Sequence, residues 1–161
     1  MFSKQRIRET FMADEKIELK IHDLKSVDRK EAICELMKGL AAKEGLDEGE
    51  AIKIESEILD RESLASTAIG NGVAIPHARV SSVDHVQVVL GRSSEGIAWD
   101  APDGKPVHLV FQFISPKIGI QIHTEMLAKI AQMASEQEFN KVTIRNLKSN
   151  DLWELLDDHE E

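Results

Sequence analysis

The order of hydrophobic patterns along the chain is the feature that most narrows the folds it can adopt. Apolar residues recur at helical spacing from Asp28 to about Lys43 and again from Asp47 to about Arg61. Apolar and β-branched residues then dominate Val86–Leu90 and Val107–Ile114, and helical spacing returns from about Gln121 to Ala134. This order of helices, strands and helices predicts a single-domain α/β sandwich, in which helices flank a mixed central sheet of about five strands.

The helix ends carry their own signals. Asp28 followed three residues later by Glu31 resembles a capping box, and Gly45 suits the C-terminal end of the first helix. Two shorter helices are expected around Phe139 and Leu152.

Size and composition fit one cytoplasmic domain. The 161 residues are enough to enclose a hydrophobic core, and no run of about 18 apolar residues is available to cross a bilayer. We interpret residues 1–14 as an N-terminal extension without the features of a secretory signal, and residues 15–161 as the domain. The single cysteine, Cys34, fits a reducing compartment. We therefore expect a cytoplasmic protein.

The formal net charge of −9 bears on the choice of partners. Such a chain is repelled by nucleic-acid backbones and anionic lipid surfaces, so we expect no nucleic-acid binding and no membrane insertion. A basic protein partner is favoured instead.

His77 follows a segment that predicts a β-hairpin. Asn71-Gly72 lies between β-favouring residues, and Pro76 is expected to end the second strand. His77 is then expected just beyond that strand end, in a loop. From these residues alone, a structural histidine and a catalytic one are equally good interpretations.

The histidine spacing gives no support for a metal site. Six histidines are present, and none forms a closely spaced pair such as H-E-x-x-H. We expect no metal ion and no other cofactor.

A longer motif around His77 is more specific. Glu62, Ile69-Gly70 and Val73-Ala74-Ile75-Pro76-His77-Ala78 together resemble the active-site signature of the fructose-, mannitol- and nitrogen-type enzyme IIA family, from the phosphoenolpyruvate-dependent phosphotransferase system. The resemblance covers roughly residues 15–157 and includes Arg61 and His123. Two positions depart from the family pattern, and neither removes a reactive group: Ala68 stands where glycine is frequent, and Thr124 where leucine is common.

The resemblance implies a phosphoryl relay. The histidine that matches His77 is phosphorylated by the carrier protein HPr or its nitrogen-type relative, and it then passes the phosphoryl group to a cysteine on a IIB domain during sugar uptake. In the nitrogen-type branch, the phosphorylation state instead controls binding to kinases or transporters. A binding domain that retained only the fold is a third possibility, which the presence of His77, His123 and Arg61 disfavours.

The resemblance also implies roles for individual residues. Arg61 and His123 match the arginine and the second histidine that approach the phosphorylated histidine in the family. Two structural alternatives stay open. Arg61 could be a helix-end residue paired with Glu57 or Glu62, and His123 could simply pack at a helix start.

Three further residues are candidate phosphate ligands on chemical grounds. The Thr67 hydroxyl and the backbone amides near Gly70 and Gly72 are donors that a phosphoryl group requires. Thr67 could instead pair across the hairpin, and the two glycines are expected first of all to give the turn its backbone freedom.

Overall fold

The computed structural model describes residues 20–135, which form six strands and three helices. In chain order the elements are β1 (Ile21–Asp23), α1 (Arg29–Glu44), α2 (Glu48–Leu64), β2 (Ala68–Gly70), β3 (Val73–Ala74), β4 (His77–Val80), β5 (Gln87–Ile97), β6 (Val107–Pro116) and α3 (Ile120–Ala134). The extension assigned to residues 1–14 and the helices expected around Phe139 and Leu152 lie outside the described residues.

The predicted capping of α1 is confirmed. The Asp28 carboxylate accepts a hydrogen bond from the Glu31 amide at 2.8 Å, which satisfies one of the free N–H groups of the first turn. At the other end, Gly45 adopts a φ of 68°, the left-handed conformation in which glycine is favoured after a helix.

The strands form one mixed sheet in the order β1-β5-β6-β3-β2, and β4 also pairs with β6. The pair β5–β6 is antiparallel, whereas β1 runs parallel to β5, and both β3 and β4 run parallel to β6. The sheet therefore has six strands where about five were expected, and its mixed character is confirmed.

Side chains of β6 alternate between two hydrophobic cores. Leu109, Phe111 and Phe113 belong to the cluster that also contains Met126 and Ile130 of α3. Val110 and Ile114, in alternate positions, join the cluster that contains Leu36 of α1 and Ile58 of α2. A strand covered on both faces requires a nearly continuous apolar sequence, which β6 has. The predicted sandwich is confirmed, with α1 and α2 on one face of the sheet and α3 on the other.

The hairpin forms at Asn71-Gly72 as predicted, with positive φ angles of 55° and 78°. The placement of His77 in a loop beyond the strand end is wrong, because His77 is the first residue of β4 and lies opposite Phe113 of β6. Pro76 has no N–H, but its carbonyl accepts a hydrogen bond from the Phe113 amide at 3.0 Å. The proline thus interrupts the strand without moving the chain away from β6.

Candidate functional site

A cleft of about 350 Å³ opens where the end of α2, the strand β4 and the beginning of α3 meet. Its lining residues are Glu57, Arg61, His77, Ala78, Arg79, Lys117 and His123. The structure therefore brings together the three residues that the sequence motif singled out, Arg61, His77 and His123.

His77 is held by the main chain. Its Nδ1 lies 2.7 Å from the carbonyl oxygen of Ile75, and because a carbonyl can only accept, Nδ1 must carry the hydrogen. The lone pair of the neutral ring is then on Nε2. Burial lowers the pKa of His77, the hydrogen bond to Ile75 acts in the opposite direction, and the charge of Arg61 lowers the pKa further. His77 is thus a neutral imidazole at neutral pH, with a defined nucleophilic nitrogen.

Aromatic packing fixes the ring of His77 from two sides. Its ring stacks on Phe113 with a centroid distance of 5.5 Å and an interplanar angle of 17°. The ring of His123 lies 5.1 Å from His77 and 5.1 Å from Phe113. These contacts restrict the imidazole to one orientation, which favours a reaction that depends on in-line geometry.

His123 lies in the first turn of α3, as predicted, and is nearly fully buried. Its Nδ1 is 2.5 Å from the Oγ of Ser115, a residue that is itself fully buried. The pKa of His123 is lowered to about 4, mainly by burial and further by repulsion from His77, when that ring is protonated, and from Arg79. His123 is consequently neutral at neutral pH, and its position at a helix N-terminus favours an anion nearby.

Arg61 lies in the last turn of α2 and lines the cleft. Its guanidinium donates to the carbonyl of Ala65 at 2.9 Å, which uses only one of its N–H groups. Within residues 20–135 it forms no ion pair with Glu57 or Glu62, the two partners considered above. The guanidinium is thereby positioned at the cleft by a backbone carbonyl.

Two further cationic residues line the cleft, Arg79 and Lys117, and sequence reasoning missed both. Arg79 follows His77 by two residues in β4, and alternate residues of a strand share a face. Placing His77 in a strand would have predicted Arg79 at the site. Together with Arg61 these residues give the cleft a positive character within an acidic chain, which suits a multiply charged anion.

Thr67 is not among the residues that line the cleft. Its hydroxyl donates to Oε2 of Glu62 at 2.5 Å, and its amide donates to Oε1 of the same carboxylate at 2.9 Å. The alternative of a cross-hairpin pair is confirmed, since the Thr67 carbonyl accepts a hydrogen bond from the Ile75 amide at 3.1 Å. The expectation that the Thr67 hydroxyl faces a phosphoryl group is corrected. The physical reason is that the buried Glu62 carboxylate requires donors and Thr67 supplies two.

Glu62 itself now has an assignable role. The indole Nε1–H of Trp99 also donates to its Oε1 at 2.8 Å, and the side chain is buried. The carboxylate thus ties the connection after α2 to the segment that follows β5. The signal was present in the sequence, because Ile54, Ile58 and Glu62 recur every four residues on the buried face of α2.

Gly70 and Gly72 serve the hairpin and do not line the cleft. Both have positive φ angles, 90° and 78°. The Gly72 carbonyl accepts hydrogen bonds from the amides of His108 and Leu109, at 2.8 Å and 3.0 Å. Their structural role is as predicted, whereas the backbone amides expected near them for phosphate binding are not at the cleft.

Residues 20–135 hold neither a candidate metal site nor a candidate membrane span. This part of the chain contains no group of three or more histidine, cysteine, aspartate or glutamate residues that could hold a metal ion. No helix in it has the length and apolarity needed to span a membrane.

Relatives of known function resemble the chain over most of its length. It is 30% identical over 138 residues to the fructose-specific EIIABC component of Bacillus subtilis, matching 86% of this chain but only 21% of that protein. It is 33% identical to the nitrogen regulatory protein of Bradyrhizobium diazoefficiens, over 73% of this chain and 75% of the relative. The chain thus spans about a fifth of the length of the first relative and three quarters of the second.

Solved structures agree with the fold. The nitrogen regulatory protein IIA-Ntr from Neisseria meningitidis matches with a TM-score of 0.74 and 29% identity, covering 84% of this chain and 91% of that one. The complex of enzyme IIA for mannitol with phosphorylated enzyme IIB, from Escherichia coli, matches with a TM-score of 0.67 at 21% identity, covering 86% of this chain and 94% of the matched one. At that identity the second match supports the fold alone.

A family model covers nearly the whole chain. The model for the phosphoenolpyruvate-dependent sugar phosphotransferase system, EIIA 2, matches residues 11–159. This chain therefore belongs to the EIIA 2 family of the phosphoenolpyruvate-dependent sugar phosphotransferase system.

Proposed function

We propose that this protein is a cytoplasmic phosphoryl carrier, which accepts a phosphoryl group on Nε2 of His77. The donor is phospho-HPr or its nitrogen-type relative, and the acceptor in sugar uptake is a cysteine of a IIB domain. The observation that carries the proposal is the hydrogen bond from His77 Nδ1 to the Ile75 carbonyl, at a cleft lined by cationic side chains. This bond leaves the nucleophilic nitrogen available to a donor.

The proposed transfer of a phosphoryl group to and from His77 requires neither a general base nor a cofactor. The lone pair of Nε2 attacks phosphorus, a new P–N bond forms, and the P–N bond to the donor histidine breaks as its electron pair returns to the donor ring. Nδ1 of His77 keeps its hydrogen throughout. In the second step a IIB thiolate attacks phosphorus, the P–S bond forms, and the electron pair of the breaking P–N bond returns to Nε2.

The cleft residues have roles that suit this transfer. Phosphoryl transfer spreads charge over three equatorial oxygens, so catalysis consists mainly of positioning and of donors aimed at those oxygens. Arg61, Arg79 and Lys117 provide positive charge, and His123 provides a neutral ring in the first turn of α3. A guanidinium is especially suited because its N–H groups lie in one plane and match two phosphate oxygens.

A second candidate function is regulation through the phosphorylation state of His77. It is favoured by the likeness to nitrogen regulatory proteins, of which the Neisseria meningitidis structure has a TM-score of 0.74. Phosphorylation adds negative charge and acceptor oxygens to the cleft, and a partner that reads this charge would bind one state only. Both functions require the same reaction at His77.

Phosphorylation in a reconstituted relay tests the shared step. The wild type, His77→Ala and His85→Ala are each incubated with phosphoenolpyruvate, enzyme I and HPr, and intact mass is measured. We expect one added phosphoryl group on the wild type and on the control variant His85→Ala, since His85 is exposed and is not among the residues that line the cleft. No phosphoryl group is expected on His77→Ala, and undiminished labelling of that variant would refute the proposal.

Transfer to purified IIB domains separates the two functions. In a sugar-uptake protein, loss of the phosphoryl group from His77 is matched by gain on the IIB cysteine. In a regulator, none of the IIB domains is labelled, and binding to a kinase or transporter changes with phosphorylation.

A further inference from the structure

Ser115 is a fully buried serine near the end of β6, next to the candidate site. It follows Phe113 by two residues, so the two side chains point to the same face of the sheet. Phe113 packs against the rings of His77 and His123, and the Ser115 hydroxyl lies against His123 Nδ1 at 2.5 Å. Ser115 therefore contacts His123 from the side of the sheet and is not among the residues that line the cleft.

The direction of this hydrogen bond determines which nitrogen of His123 carries the hydrogen. If Nδ1–H donated to Oγ, the hydroxyl hydrogen of a fully buried serine would need another acceptor, and none is found in the part of the chain that the structure describes. If the hydroxyl donates to Nδ1, its hydrogen is satisfied and the ring hydrogen must be on Nε2. Buried donors without an acceptor are rare, which favours the second arrangement.

We propose that Ser115 is a positioning residue, which donates its hydroxyl hydrogen to Nδ1 of His123 and thereby holds that ring as the Nε2–H tautomer. Because Nδ1 is occupied by Ser115, Nε2–H is the ring group that His123 offers to the cleft. A neutral histidine in this tautomer donates a hydrogen bond to a phosphoryl oxygen on His77. This last step rests on the proposed function, whereas the tautomer does not.

The neutral state of His123 makes the hydroxyl necessary. A protonated imidazole has hydrogens on both nitrogens and would need no tautomer control, but burial and the neighbouring charge of Arg79 lower the pKa of His123. With the ring neutral, only one nitrogen can donate. Ser115 is the described contact that selects which one.

NMR of the unphosphorylated protein, with 15N-labelled histidine at pH 7.5, tests the tautomer directly. We expect His123 to carry its hydrogen on Nε2 in the wild type and in Ser115→Thr, which retains a hydroxyl, and to become a mixture of tautomers in Ser115→Ala. Ser93→Ala is the matched control, because Ser93 is a buried serine of β5 whose hydroxyl accepts from Gly96. A wild-type His123 protonated on Nδ1 would overturn the assignment, even if every variant failed to fold.

Single-turnover transfer from phospho-HPr tests the consequence at the site. We expect Ser115→Ala to be slower by about 3- to 10-fold, the effect of one hydrogen bond in the transition state, with Ser115→Thr and Ser93→Ala near wild type. A transfer rate for Ser115→Ala equal to wild type would contradict the positioning role. If the wild type accepts no phosphoryl group at all, the proposed function fails while the tautomer result stands.

Discussion

At the scale of single residues, the reactivity proposed for His77 rests on the main chain. In many enzymes a carboxylate orients the histidine, whereas here the Ile75 carbonyl holds Nδ1 and burial lowers the pKa. A neutral carbonyl fixes the tautomer without adding a negative charge that would repel the incoming phosphoryl group. The same arrangement leaves Nε2 nucleophilic at neutral pH.

The sequence motif predicted which residues meet at the cleft better than it predicted their hydrogen-bond partners. His77, Arg61 and His123 meet at one cleft, as their place in the motif implied. Thr67 does not join them, because Glu62 is buried at the end of α2 and takes the hydroxyl. Burial decides such a competition, and burial depends on contacts between residues far apart in the chain.

The buried carboxylate of Glu62 is expected to stabilise the fold. Glu62→Gln replaces one carboxylate oxygen by an NH₂ group, which then faces the donors of Thr67 or Trp99. We expect a loss of about 1–3 kcal/mol in the free energy of unfolding, the cost of an unsatisfied buried polar group, measured by urea denaturation. The control is Glu95→Gln at an exposed position. Equal stability of both variants would show that the buried carboxylate is dispensable.

At the scale of elements, β6 organises the site. It pairs with β3, β4 and β5, and it supplies the aromatic ring beneath His77 and the hydroxyl against His123. Its run of apolar residues made it predictable from sequence. The short strand β4 was not, because Pro76 indicates the end of a strand and only the pairing with β6 reveals that the strand continues.

The predicted length of strand β5 is too short for a related reason. The apolar run predicts a strand that ends at Leu90, yet the strand runs to Ile97. The pairing with β6 shifts register between Arg92 and Ile97, and Gly96 has a φ of 90° within this irregularity. A bulge of this kind has no period-2 pattern, so local sequence indicates a turn.

A side chain at Gly96 is expected to destabilise the fold. A Cβ at this position would lie 2.9 Å from Cβ of Pro106 and 3.0 Å from Cε1 of His108, in a backbone conformation that is strained for alanine. We expect Gly96→Ala to lower the free energy of unfolding by about 1–3 kcal/mol. Gly39→Ala in α1 is the control, since nothing lies within 4 Å there, and helix propensity predicts a gain of about 0.5–1 kcal/mol. Similar effects of the two substitutions would contradict the assigned strain.

At the scale of the whole molecule, an acidic chain places a positive cleft around two neutral histidines. The net charge is −9, and the cationic side chains at the cleft are Arg61, Arg79 and Lys117. Composition alone predicted a basic partner and gave no sign of this local reversal. Only the packing of α2, β4 and the segment between β6 and α3 brings these cations together, from positions as far apart as 61 and 117.

Proton linkage makes the stability of the fold depend on pH. The pKa of His123 is lowered from 6.5 to about 4 on folding, so between these values the unfolded chain binds more protons than the native one. The contribution of neutral His123 is therefore present above pH 6.5 and is lost as the pH falls towards 4, at no more than about 1.4 kcal/mol per pH unit.

We expect His123→Gln to flatten this dependence. Urea midpoints measured at intervals between pH 7.5 and pH 4.5 should fall less steeply for the variant than for the wild type. His85→Gln is the control, because hydrogen bonding to Asp84 raises the pKa of His85 and its contribution has the opposite sign. Parallel curves for the wild type and His123→Gln would show that His123 is not a buried neutral histidine.

The position of the phosphoryl group is the most direct test of the role assigned to His77. The protein is labelled with 15N-histidine, phosphorylated through enzyme I and HPr, and examined by NMR for coupling between 31P and the ring nitrogens. We predict coupling to Nε2 of His77, with the hydrogen still on Nδ1 and bonded to Ile75. Phosphorus on Nδ1 of His77, or on any other histidine, would contradict the mechanism.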